Sequence, residues 1–204
     1  GHMDKLSIIR SMHGEEDNHP EATSYALTGH RPNSSMKFPS VGAIVTEELG
    51  AINEVPPHVL LPEWTTEKQY EKFWEGAFLG PHTNPLVVPD PSQPDYKVVD
   101  LSLPKSIDLK RVENRRSFLE MWDHFHRQKV AMAEYEAMDS YRAQALEMIL
   151  APAVRDAFDI SQEPASIRDL YGEGVQARQM IMARRLVERG VRFVQVWYGK
   201  GQPW

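Results

Sequence analysis

The densest group of side chains that could carry chemistry lies within residues 13–30. Its members are imidazoles, carboxylates and hydroxyls, namely His13, Glu15, Glu16, Asp17, His19, Thr23, Ser24, Thr28 and His30. Neutral imidazole nitrogen and carboxylate oxygen are both ligands for zinc-type divalent cations, so His13 and His19 are candidate metal ligands. Their spacing matches no compact ligand motif. The same residues therefore also fit a polar, solvated loop that leads into a helix.

The other histidines and the paired arginines are expected to have no chemical role. His58 and His82 stand beside prolines and are expected at the surface rather than as ligands. Arg184 and Arg185 are expected on a solvated helix face. The chain contains no Gly-x-Gly-x-x-Gly, P-loop, Gly-x-Ser-x-Gly or His-Glu-x-x-His pattern, so nucleotide binding and serine-hydrolase chemistry have no support.

Composition excludes several classes of protein. The chain has 204 residues, of which 41% are hydrophobic and 25% charged, as in ordinary globular domains. A net charge of -6 and a pI near 5.8 argue against nucleic-acid binding, which needs a basic face. Without cysteine there is no disulfide or thiolate site. No apolar run reaches about 18 residues, so no transmembrane segment is expected.

Short β-branched runs and helical apolar spacing predict the elements that position these side chains. The predicted strands are residues 6–10, 58–61 and 191–197. The predicted helices are residues 20–27, 41–49, 151–158 and 175–188. Because helices separate the strands, we expect an α/β fold with a largely parallel central sheet flanked by helices, in which 6–10 and 191–197 share one sheet. His13 and His19 would then lie in a shared cleft at the carboxyl end of the 6–10 strand.

The domain organisation predicted from the sequence is simple. Residues 1–3 indicate the remnant of a cleaved tag, and residues 4–204 indicate one domain. Within it, residues 62–104 are rich in Pro, Gly, Asn and Asp, which is typical of a long ordered excursion. Residues 109–150 carry apolar stripes at helical spacing and predict a separate helical layer.

Short segments in a fixed order resemble one bacterial family. They are IRSMH at 9–13, YALTGHRP at 25–32, PSVG at 39–42, GAFLG at 76–80, DLSLP at 100–104, AFD at 157–159 and ARRLVERGVRFV at 183–194. This order is similar to that of domain-of-unknown-function family 1501, a sulfatase-like branch of the alkaline phosphatase superfamily. The resemblance covers essentially the whole chain after the tag. It implies a partial α/β domain with a metal centre at the strand ends.

The resemblance also assigns roles to particular residues. In sulfatases, the helix that ends in a Thr-Gly-Arg turn begins with a nucleophile that becomes modified, and that position is His19 here, with Thr23 at the position of an Arg. His19 cannot be converted to formylglycine. The resemblance therefore implies that His19 serves as a metal ligand beside His13, with a metal-bound hydroxide as nucleophile. Thr23 would be a polar contact or a second candidate nucleophile.

Two function classes follow from the resemblance. The first is a metal-dependent hydrolase of sulfate or phosphate esters, with a small-molecule or carbohydrate ester as substrate and a zinc- or calcium-type divalent cation. The second is a non-catalytic secreted or envelope protein that uses the same scaffold for binding. The chain is expected to be a fragment that is inactive alone, binds no metal by itself and self-associates through uncovered surfaces. An exported or periplasmic location is expected for the whole protein.

Overall fold

The structure of the protein is a computed structural model that describes residues 3–11, 13–14, 16–53, 55–61, 73–90 and 152–197. Its helices are α1 (His19–Thr28), α2 (Val41–Leu49), α3 (Pro152–Phe158), α4 (Ala165–Tyr171) and α5 (Val175–Glu188). Its strands are β1 (His58–Leu61), β2 (Leu86–Val87) and β3 (Phe193–Val196). Short 3-10 turns lie at Met3–Lys5, Ala77–Leu79, Pro81–Thr83 and Ile160–Gln162. The helical layer predicted at 109–150 lies outside the described residues.

The three strands form one parallel sheet in the order β2-β1-β3. In the register of this sheet, Val59 of β1 pairs with Leu86 on one side and with Val194 on the other. Parallel neighbours require long crossover connections, and the segments between these strands are long enough to provide them. The chain therefore has helices and a small parallel sheet, as the α/β prediction requires. None of the described helices is long and apolar enough to cross a bilayer.

One face of the sheet packs against α3 and α5. Side chains alternate between faces along a strand, so Val59 and Leu61 of β1 share this face, and both are fully buried. On α5, Met182 and Leu186 are four residues apart and point the same way. The buried residues of this layer are Val55, Val59, Leu61, Val88, Val154, Ala157, Phe158, Met182, Leu186 and Val191.

The other face of the sheet is covered by α2, by the segment around Trp74 and by the Pro81–Thr83 turn. Leu60 is fully buried there beside Trp74. Helix α2 contacts both β1 and β3. The described sheet is thus enclosed between two layers, and its interior is reached only from its edges.

One predicted strand is not found. Residues 6–10 form no strand, and Leu6, Ile8 and Ile9 are 62%, 65% and 72% exposed. The prediction of a strand that pairs with the sheet was therefore wrong. β-branched residues favour a strand only where a neighbouring strand and a core are available, and the described sheet pairs β1 with β2 and β3 instead. The α4 helix was also missed, because its sequence was assigned to a connection.

Helix α2 begins after a capping residue, Ser40, and ends at a glycine, Gly50. The Ser40 hydroxyl accepts a hydrogen bond from the Ala43 backbone N–H at 3.1 Å, as an N-cap residue does. The same hydroxyl donates to the Trp74 carbonyl oxygen at 3.1 Å. Gly50, at φ 57°, follows the last turn in a conformation that other residues rarely adopt. Ser40 therefore both starts α2 and ties it to the segment that covers the sheet.

Replacing Ser40 by Ala is expected to lower the free energy of unfolding by about 1 to 2 kcal/mol, because the variant loses a helix cap and leaves the buried Trp74 carbonyl without its donor. Urea unfolding followed by circular dichroism measures this loss. The exposed Ser35 offers a control, since Ser35→Ala should change stability by less than about 0.5 kcal/mol. Equal effects of the two substitutions would contradict the assigned role of Ser40.

Candidate functional site

The carboxyl ends of all three strands lie along one edge of the sheet, called the carboxyl edge below. The Trp197 backbone N–H donates to the Leu61 carbonyl oxygen at 2.6 Å, and the Val88 N–H donates to the Leu60 carbonyl oxygen at 3.0 Å. In open parallel sheets with helices on both faces, ligands bind in the crevice outside this edge. The carboxyl edge is therefore the place in this fold where a reaction site is expected.

Trp197 and the carboxylate of Asp90 closely follow strand ends in sequence, and a second tryptophan packs against Trp197. The Trp74 and Trp197 rings meet edge to face, with centroids 5.9 Å apart. Asp90 follows β2 by three residues and is half-buried. Sequence reasoning did not select Asp90, although its position directly after the Leu86-Val87-Val88 run was a usable signal. It is a candidate contributor to a site at the carboxyl edge.

Helix α2 packs on one face of the sheet, where it contacts both β1 and β3. At its start, the Ser40 N–H donates to the Glu75 carbonyl oxygen at 3.2 Å, next to Trp74. At its end, the Arg192 Nε donates to the Gly50 carbonyl oxygen at 2.7 Å, just before β3 begins. The chain that carries α1 therefore enters α2 next to Trp74, whose ring meets that of Trp197 after β3.

His13, His19 and Thr23, the residues predicted to carry chemistry, lie in and before α1. His13 is exposed, and its Nδ1 is 3.2 Å from the Ser11 carbonyl oxygen. His19 is the exposed first residue of α1, and Thr23 is half-buried one turn later. Residues four apart share a helix face, so His19 and Thr23 stand on the same side of α1. Their metal-binding and catalytic roles stay predictions.

Other members of this polar group hold α1 in place. The buried Ser24 hydroxyl donates to the His30 carbonyl oxygen at 3.1 Å, and Thr28 Oγ1 donates to the Ser24 carbonyl oxygen at 2.7 Å. Glu16, ahead of α1, forms an ion pair with Arg31 beyond it. These contacts join the two ends of α1, which makes it a defined unit rather than a solvated loop.

The described residues contain only part of the predicted metal centre. The shared cleft for His13 and His19 was placed at the end of a strand at 6–10, and since that strand is absent, this placement was wrong. Within the described ranges, no group of three or more His, Asp or Glu side chains could hold a metal ion. These ranges thus supply two candidate imidazoles and no complete ligand set.

A buried histidine lies at the opposite end of the central strand. His58 is 1% exposed and packs beneath Gly42 of α2, with the Phe193 ring edge-on at 5.2 Å. The Thr83 backbone and the Gln195 amide lie near the imidazole, but neither ring nitrogen has a well-formed hydrogen bond. Desolvation lowers the pKa of His58 to about 4, although the two polar neighbours partly oppose this. The expectation of a surface position for His58 was therefore wrong.

A second buried polar group joins α5 to α3. Glu163 accepts from both Arg184 and Arg185, the latter at 2.5 Å. The Arg185 Nη2 also donates to the Asp156 carbonyl oxygen at 2.5 Å, and its Nε donates to that of Ala157 at 3.3 Å. Hydrogen bonding from Arg184 lowers the pKa of Glu163. Arg185 is buried rather than solvated, contrary to expectation, and its role is structural.

A cleft of about 550 Å³ opens ahead of β1 and β3, away from the carboxyl edge. Its lining includes Asn53, Val55, Asp156, Gln162, Glu188 and Arg189. Several of these side chains already have partners. Gln162 donates to Asp156 at 3.2 Å, Glu188 pairs with Arg184 at 3.3 Å, and Arg189 donates to the Arg185 carbonyl oxygen at 3.2 Å. Because these side chains are already bonded to protein groups, the lining of the cleft indicates no particular ligand.

Comparison with known proteins gives one match. A family model described as "Protein of unknown function (DUF1501)" matches residues 1–204. No curated protein matches the chain. No solved structure matches it either.

Proposed function

The chain belongs to the DUF1501 family, and we propose that it carries the scaffold of a metal-dependent hydrolase of phosphate or sulfate esters, related to the sulfatase-like branch of the alkaline phosphatase superfamily. One observation carries the proposal. Three parallel strands end along a single edge, and Trp197, which follows β3 at that edge, packs against Trp74, whose carbonyl oxygen accepts a hydrogen bond from Ser40 at the start of α2. Such an edge is where open α/β sheets place their reaction sites.

The residues of α1 supply the chemical part of the proposal. His13 and His19 are the proposed ligands of a zinc- or calcium-type cation, and further ligands would come from outside the described residues. Thr23 stands on the same face of α1 as His19 and is proposed to contact the ester. Asp90 is a further candidate because it follows a strand that ends at the same edge.

Substitution of His19 tests the proposal. In full-length protein dialysed to constant metal content, His19→Ala should lower both bound metal and the rate of aryl phosphate or aryl sulfate hydrolysis. The loss should be at least the roughly 10- to 100-fold that follows removal of a residue supporting a metal ligand. Elemental analysis and a chromogenic ester assay on the same preparation measure the two quantities together.

His82 provides the matched control, because it is also an exposed imidazole but pairs with Glu47 of α2 at 2.7 Å. His82→Ala should leave metal content and rate unchanged. If His19→Ala retains both, the assignment of His19 is wrong. If the unmodified protein binds no metal and hydrolyses neither ester, the chain instead fits a non-catalytic binding protein on the same scaffold.

A further inference from the structure

The packing of His58 removes its imidazole from water, which disfavours the charged form. The ring fits against Gly42, where an added Cβ would come within 2.3 to 2.6 Å of three ring atoms. At 1% exposure, the side chain is almost fully shielded from water. A second proton on the ring would need a hydrogen-bond acceptor, and an unpartnered buried charge is strongly disfavoured.

Within the part of the chain that the structure describes, no charged side chain acts on the His58 ring to compensate such a proton. The charged or titratable side chains on the elements that pack around this end of β1 are Glu47, Glu48, Glu75, His82 and Arg192. Glu47 is paired with His82, Glu48 is exposed, and Arg192 binds the Gly50 carbonyl oxygen. Neither ring nitrogen of His58 makes a well-formed hydrogen bond with a described residue. The groups that do approach the ring, Thr83 and Gln195, are neutral.

The two layers around the sheet differ in whether they cover a histidine. The layer of α3 and α5 covers an apolar core that contains no histidine. The layer of α2 and the Pro81–Thr83 turn covers the imidazole directly. Acid should therefore weaken one layer before the other.

We propose that His58 is an acid-sensitive latch between β1 and α2, whose protonation releases α2 and the Pro81–Thr83 turn from the sheet while α3 and α5 stay packed. Because Ser40 at the start of α2 also bonds the Trp74 carbonyl oxygen, release of α2 would also free the segment that carries Trp74. The proposal is independent of the hydrolase assignment, since it requires neither a metal nor a substrate.

Hydrogen exchange measured by mass spectrometry tests the latch in the full chain. With a pKa of about 4 when closed and 6.5 when open, the open population should rise about 20-fold between pH 7 and pH 5. After correction for intrinsic exchange rates, peptides covering 41–49 should show this increase. Peptides covering 175–188 should change by less than about threefold, because the buried carboxylate of their layer, Glu163, has a lowered pKa and stays ionised between pH 7 and pH 5.

Two variants separate the latch from other acid effects. His58→Gln keeps a polar side chain but cannot titrate, so the acid response of 41–49 should disappear. His82→Gln removes the exposed imidazole of the same layer and should keep the response. The proposal is overturned if His58→Gln responds to acid as the wild type does. If that variant does not fold, the wild-type comparison still decides, because equal opening of 41–49 and 175–188, or no opening at pH 5, also overturns it.

Discussion

Gly42→Ala is expected to destabilise the protein by about 3 kcal/mol or more, at the upper end of what overpacking a core costs. In an ordinary helix the same change would stabilise by up to about 1 kcal/mol. Here the new methyl would lie 2.3 Å from Cε1 and 2.4 Å from Nε2 of His58, far inside contact distance. Either α2 or the central strand must move. Chemical unfolding at pH 7, where His58 is neutral, measures the loss.

His58, the partner of Gly42 in this contact, supplies the control. His58→Ala makes room for the methyl, so Gly42→Ala combined with His58→Ala should be less destabilised than the sum of the two single substitutions, by more than about 1 kcal/mol. Gly14→Ala should be nearly neutral, because nothing lies within 4 Å of its added Cβ. Additive effects of the Gly42 and His58 substitutions would contradict the packing described here.

Arg185→Ala is expected to have an effect of similar size, about 3 kcal/mol, because it removes one partner of a buried ion pair and leaves the other charge partly unsatisfied. The Arg185 side chain is 3% exposed and that of Glu163 is 8% exposed. The substitution also deprives the Asp156 and Ala157 carbonyl oxygens of their donor. Arg185→Lys should rescue little of this, since an ammonium cannot reproduce the planar fork of the guanidinium.

Arg184 is the matched control for Arg185. It contacts the same carboxylate, but its side chain is 27% exposed and can be replaced by water. Arg184→Ala should therefore cost only about 1 kcal/mol. Thermal unfolding of both variants under the same conditions compares them, and equal losses would show that burial of Arg185 is not what makes the contact important.

Much of the fold could be predicted because its signals are local. Helix α2 has the predicted bounds, since Ser40 can cap it and Gly50 can end it within one short segment. Helix α5 and β3 follow from apolar spacing, a Gly190 turn at φ 100° and a β-branched run. β1 was also predicted with its observed bounds. Each of these signals is contained in fewer than about 20 residues.

The predictions that were wrong about burial concern residues whose contacts are distant in sequence. Whether His58 is buried depends on Gly42, on another element. Whether Arg185 is buried depends on Glu163, which lies beyond α4. Spacing within one element cannot reveal either contact. The strand predicted at residues 6–10 was wrong because a local signal was present but a partner was not. Their β-branched side chains pair with no strand of the described sheet.

The candidate site was predictable only in part. Helix α1 extends the predicted helix of residues 20–27 by one residue at each end, which places His19 in its first turn and Thr23 on the same face. The position of α1 relative to the carboxyl edge depends on how α2 docks through Ser40 and Trp74. That docking is a tertiary contact, so the sequence could indicate the chemical groups without indicating where they meet.

The hydrolase proposal is tested most directly by measuring metal content and ester hydrolysis on one preparation of full-length protein. We predict that dialysed protein retains a stoichiometric divalent cation and hydrolyses an aryl phosphate or an aryl sulfate. A chelator should abolish the hydrolysis, and the same cation should restore it. Protein that remains folded, takes up no divalent cation when one is supplied, and hydrolyses neither ester would contradict the proposal.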